Sequence, residues 1–82
     1  MNREIVMRIR EMERLFDAVS LAVQNGKANT PEIISMLRTL SYYMDSGLWL
    51  SDFEADERGE LPDDLKRGVL SEDGLYNLLM ND

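Results

Sequence analysis

Neither cysteine nor histidine occurs in the 82 residues. Their absence excludes disulfides, thiolate nucleophiles, Cys/His zinc centres and any triad that passes a proton through an imidazole. Proline occurs twice, glycine five times and tryptophan once. Helix breakers this scarce can each be read as a boundary. No apolar run approaches the roughly 18 residues of a membrane span. The first fifteen residues are interrupted by Arg3, Glu4, Arg8, Arg10 and Glu11, which does not suit a secretory signal. The expectation is a cytoplasmic protein with no cofactor and no contact with a membrane.

Positive charge is also sparse. Nine basic residues face sixteen acidic ones, a net of −7, and the imbalance is local. Residues 1–40 hold six basic and five acidic groups, whereas 41–82 hold three and eleven. An acidic surface repels phosphate backbones, so direct nucleic-acid binding is not expected. The charge serves solubility, or it faces a basic partner, in one version by imitating nucleic acid.

What is present is helical periodicity. Ile5, Ile9, Met12, Phe16, Val19 and Val23 recur at alternating spacings of four and three, which predicts a helix from about Asn2 to Gln24. Leu15 and Ala22 widen that seam into a core-facing stripe, and Arg10, Glu13, Arg14 and Asp17 fall on the opposite face. Asn25-Gly26 stops the helix. Thr30-Pro31-Glu32 starts a second, with Thr30 as cap and Pro31 at the first helical position. Its seam is Ile33, Leu37, Leu40 and Met44, and Ser46-Gly47 ends it. Met12 and Met44 lie on these seams as core, while Met7, Met36 and Met80 are candidates for an adaptable surface.

The remainder reads as short helical pieces. A third helix starts either at a Ser51–Glu54 capping box or a turn earlier near Leu48, and Gly59 terminates it. Pro62 to Arg67 suits one helical turn with Gly68 just past its end. Ser71 is placed to cap a last helix through Met80, with Leu70 and Leu75 at its staple positions. Nothing alternates with period two. The expected fold is therefore all-α: an antiparallel two-helix hairpin (1–46) with short C-terminal helices (47–82) folded back on it, forming one domain over residues 1–82. A chain of this length buries only about 60–65 % of its unfolded surface. A monomer is expected to be stable by about 5 kcal/mol or less unless a partner or a second copy covers apolar surface.

The densest stretch is Trp49 to Leu79, WLSDFEADERGELPDDLKRGVLSEDGLYNLL. It closely resembles the C-terminal signature of a family of small bacterial proteins catalogued as domain of unknown function 4298. That signature is an aromatic–acidic stretch, then LP-x-D-L-K-R-G-V-L-S-E-D and a short terminal helix. Leu61 to Asp73 follows the pattern without a gap, while the first forty residues match only in helical character. The resemblance implies a compact helical protein and specifies no activity.

Within this stretch Trp49, Asp52, Phe53 and Asp56 share one face of a continuous helix, and Lys66 and Arg67 follow them. These six are the candidate site. In one reading they form an internal lock, with Arg67 paired to Asp52 or Asp56 beneath Trp49 and Phe53. In the other they are an aromatic patch rimmed by charge that binds a partner. Asp52, Glu54, Asp56 and Asp63 also fall at positions 1, 3, 5 and 12 of a calcium loop, but Glu57 occupies the position that requires glycine. No catalytic or metal-binding residue is assigned on that pattern. The reading is a non-enzymatic protein–protein interaction or regulatory module that docks an unidentified protein or a second copy through its C-terminal segment. The alternatives are a metal-dependent or acid–base enzyme using Asp52, Asp56 and Asp63, and an acidic nucleic-acid mimic.

Overall fold

The computed structural model describes residues 3–71 and 73–80. Four α-helices and one 3₁₀ turn follow in order: α1 Arg3–Gln24, α2 Pro31–Asp45, α3 Leu48–Glu57, the 3₁₀ turn Gly68–Leu70, and α4 Gly74–Met80. No strand occurs among the described residues. The 22 residues of α1 span about 33 Å, most of the molecule's 37 Å long axis. Asn2, expected to open α1, lies outside the described residues.

The boundaries follow from local chemistry. The Lys27 N–H reaches back to the Ala22 carbonyl at 2.8 Å across Gly26, which adopts φ +69°. This six-to-one bond satisfies a carbonyl that the end of α1 would otherwise leave open. The Thr30 hydroxyl accepts from the Ile33 N–H at 3.4 Å and Pro31 follows it, as expected for the start of α2. Only Ser46 and Gly47 separate α2 from α3. Gly47 turns the chain at φ +88°, in the left-handed region that a side chain disfavours. The earlier of the two expected starts of α3 is thus adopted, and Ser51 lies inside the helix rather than capping it.

Two expectations in the C-terminal third are corrected. Pro62 to Arg67 makes turns rather than a helical turn, and Gly68 begins the 3₁₀ turn instead of ending a helix. The reason is that Arg67 draws the carbonyls of this stretch onto its guanidinium, as described below. Ser71 closes the 3₁₀ turn through its N–H to the Gly68 carbonyl, and α4 starts two residues later than expected. Glu72, part of that expected cap, lies outside the described residues.

Every element contributes at least one wholly buried side chain: Ile9 and Val19 from α1, Leu40 from α2, Ala55 from α3, Val69 from the 3₁₀ turn and Leu75 from α4. Each fully buried Val, Leu or Ile contributes about 1.5–3 kcal/mol. At seven residues α4 is too short to persist on its own helix propensity, so it is held by the packing of Leu75, Leu78 and Leu79. The seams are displaced in places. Val6 and Tyr43 are buried although the expected stripes omit them, Val23 is exposed, and Met36 packs against the core. α1 packs on α2 and on the 3₁₀ turn, and α2 packs on α3 and α4. No helix among the described residues is long and apolar enough to cross a membrane.

Candidate functional site

The face of α3 that carries Trp49, Asp52, Phe53 and Asp56 is turned towards the rest of the protein. Its two carboxylates sit four residues apart, where like charges repel by a few tenths of a kcal/mol unless neutralised. Each has its own arginine, and the two arginines come from different parts of the chain.

Asp52 is wholly buried. Arg8 of α1 grips it with both ends of the guanidinium fork, Nε to Oδ2 at 2.9 Å and a terminal nitrogen to Oδ1 at 2.5 Å. The Tyr43 hydroxyl of α2 donates to Oδ2 at 2.6 Å. One carboxylate of α3 therefore ties the early part of α1 to the late part of α2. The surroundings raise the pKa of Tyr43: burial disfavours the phenolate, and the hydrogen bond to Asp52 and its negative charge add to the effect. The hydrogen bond to Asp52 is also the main reason that the pKa of Arg8 is raised.

Asp56 is held by Arg67, whose Nε donates to Oδ1 at 2.7 Å. The other donors of Arg67 organise the preceding loop. They reach the carbonyls of Pro62 at 2.7 Å, Leu65 at 2.9 Å and Asp63 at 3.3 Å. This is the lock that the sequence proposed with Asp52 or Asp56 as acceptor, and Asp56 is the acceptor used. Trp49 stacks on Phe53 with ring centroids 5.2 Å apart, and its indole N–H donates to the Val69 carbonyl at 2.9 Å. Lys66 stands apart: it is exposed and makes no ion pair among the described residues.

Glu13 was expected on the solvent face of α1. Its carboxylate instead accepts the Val69 N–H at 2.7 Å and lies against Gly68. Trp49 and Glu13 thus hold Val69 through its carbonyl and its N–H respectively. Periodicity does contain a signal for Glu13. It lies four residues after Ile9 and three before Phe16, both of which pack in the core, so the three share one ridge. Nothing local marks Arg8 or Tyr43 as partners of Asp52; that constellation exists only once three helices meet.

The chemistry open to this arrangement is that of a fastener. The Asp52 carboxylate is filled by three donors, and that of Asp56 is bound by Arg67. Asp52, Glu54 and Asp56 lie within α3, so they do not form the wrapping loop that the calcium pattern requires. The segment's exposed outer side is different. Glu57, Asp63 and Asp64 project there with no ion-pair partner among the described residues, near in sequence to the exposed Leu50 and Lys66.

Comparison with curated proteins finds no match, and comparison with solved structures finds none. A family model described as domain of unknown function (DUF4298) matches residues 9–82, so the likeness begins within α1 and extends well beyond the C-terminal signature. It takes in Glu13, Tyr43, Asp52 and Arg67 together, and the chain belongs to that family.

Proposed function

We propose that this protein is a non-enzymatic interaction module whose acidic C-terminal segment docks a basic surface of another protein. The observation that carries this reading is a division among the carboxylates. Asp52 and Asp56 are turned inward and neutralised by Arg8 and Arg67. Glu57, Asp63 and Asp64 are left exposed and outside any ion pair among the described residues, Asp64 on a depression that Arg10, Arg14 and Lys66 also line. Carboxylates outside ion pairs attract an incoming cationic surface and raise the rate of encounter. Of the three carboxylates an acid–base or metal-dependent enzyme would have used, Asp52 and Asp56 are committed to guanidinium groups, and Asp63 is exposed on the surface.

In this reading α1 and α2 form an antiparallel hairpin on which the C-terminal elements rest. Asp52, Asp56 and Arg67 act by holding the segment in shape. The half-buried Trp49 and Phe53 stiffen it, and their exposed edges meet the partner. The test is capture by the immobilised protein from a lysate of its own source, alongside the triple variant Glu57→Lys, Asp63→Lys, Asp64→Lys. The expected result is a basic protein retained in stoichiometric amount, released as salt shortens the Debye length from about 10 Å at 0.1 M towards 3 Å at 1 M, and missing from the variant at unchanged melting temperature. The same proteins on both columns, or none on the wild-type column, would overturn the reading.

A further inference from the structure

α2 and α4 bound an open groove of about 460 Å³. A second depression of about 510 Å³ extends it towards the α1–α2 connection, sharing Ile34, Leu37 and Leu79. Four of the eight large hydrophobic side chains exposed among the described residues, Val23, Ile34, Tyr76 and Met80, line this continuous face. The molecule as a whole exposes 5570 Å² at 9.5 kDa, against roughly 5,000 Å² for a folded monomer of that mass.

The charges on this face identify what covers it. Arg38 and Asp45 are the charged residues lining it; both are exposed, and neither forms an ion pair among the described residues. They lie seven residues apart on α2, which is about 10 Å along the helix axis. A partner of single charge sign would meet one of them with like charge. A second copy laid antiparallel along α2 meets both favourably, because a two-fold axis midway between the pair sets each Arg38 beside Asp45 of the partner subunit. Ser41, small and half-buried in the groove wall, sits next to that midpoint and lets the two α2 helices approach closely.

We propose that a second copy of this chain covers the α2–α4 face, pairing Arg38 of each copy with Asp45 of the other and burying Ile34, Tyr76 and Met80. The proposal rests on this face alone and is independent of the acidic docking segment. A face two helices wide and about 22 Å long is smaller than the roughly 800 Å² per partner of a standard interface, so the dimer is weak. The charge of −7 on each copy opposes association. About 0.15 M salt, where the Debye length is about 8 Å, is therefore the suitable ionic strength for the test.

Sedimentation equilibrium of the full chain up to about 1 mM should show a reversible monomer–dimer transition in that range. Arg38→Asp alone and Asp45→Arg alone should each weaken it at least about 10-fold, since each places like charges opposite one another at two corners. An equimolar mixture of the two variants should associate again, because every corner of the mixed pair then joins opposite charges. Both positions are exposed and without an ion pair among the described residues, so both variants should keep the wild-type melting temperature. A monomer at all concentrations, a dimer indifferent to the single reversals, or a mixture that fails to restore association would each overturn the proposal. Capture of a basic partner by the acidic segment should be unchanged in these variants, so the two readings can fail separately.

Discussion

Arg8 and Asp52 stand 44 residues apart in the chain and meet as a two-point ion pair, with the aspartate wholly removed from solvent. Removing one member of such a pair leaves an uncompensated buried charge, which costs about 3–5 kcal/mol. Arg8 keeps about a quarter of its side-chain exposure and can partly rehydrate, so Asp52→Asn should fall near the lower end. That loss is most of the stability of a domain this small, and urea denaturation followed by far-UV circular dichroism should show the midpoint fall by more than half. Replacing Arg8, Tyr43 and Asp52 together by Met, Phe and Leu should recover most of the loss, since no polar group is then left unpaired.

Tyr43 makes the fold sensitive to alkali. Its folded-state pKa is raised above the ordinary value of 10.0 by burial first and then by Asp52. The stabilisation is complete below the unfolded pKa, because the phenol is protonated in both states. Above about pH 10 the unfolded chain loses a proton that the folded chain retains, so stability falls as pH rises. Tyr43→Phe should cost about 1.5–3 kcal/mol at neutral pH, the range for a hydrogen bond to a charged group. It should also flatten the decline in melting temperature above pH 10. An alkaline decline equally steep in the variant would place its origin elsewhere.

The contrast between Arg67 and Arg8 shows what sequence reasoning reaches. Arg67 lies eleven residues after Asp56, on the neighbouring segment, and the carboxylate spacing on α3 called for a nearby cation. Helix boundaries at Gly26, Thr30-Pro31 and Gly47 were equally legible because each depends on one or two adjacent residues. Arg8 and Tyr43 were not legible as members of the site, and Glu13 only through the ridge it shares with Ile9 and Phe16. Each acts on a group in another element, and an arginine, tyrosine or glutamate on a helix flank looks the same whether it meets water or a neighbour. The Pro62–Arg67 stretch failed for a related reason. Its carbonyls bond to the Arg67 side chain, an alternative to helical pairing that residue propensities do not register.

Gly68 is needed for the space beside it. A Cβ at this position would lie 2.9 Å from Glu13 Oε2 and displace the carboxylate that accepts the Val69 N–H. Glu13 is flexible enough to move, so the cost of Gly68→Ala should be that hydrogen bond, about 1–2 kcal/mol. In a Glu13→Ala background the same substitution should cost only a few tenths of a kcal/mol, and a double-mutant cycle should return the difference as coupling. Equal costs in both backgrounds would mean that Gly68 is required for its backbone and not for Glu13.

Lys66 and Arg67 are adjacent basic residues with opposite roles. Arg67 donates to Asp56 and to three loop carbonyls, a set that needs a planar fork with several N–H groups. Lysine offers a point charge and cannot span those acceptors. Arg67→Lys should therefore cost about 2 kcal/mol, with hydrogen exchange accelerated between residues 61 and 70 while the amides of α1 keep their relative order. Lys66 is exposed and makes no ion pair among the described residues, so Lys66→Glu should change stability by less than about 0.5 kcal/mol. It adds negative charge to the segment proposed to meet a basic partner, so it should leave the fold intact and strengthen capture at low salt. If Lys66→Glu weakened capture while the melting temperature held, the lysine itself would contact the partner and the docking surface would not be purely acidic.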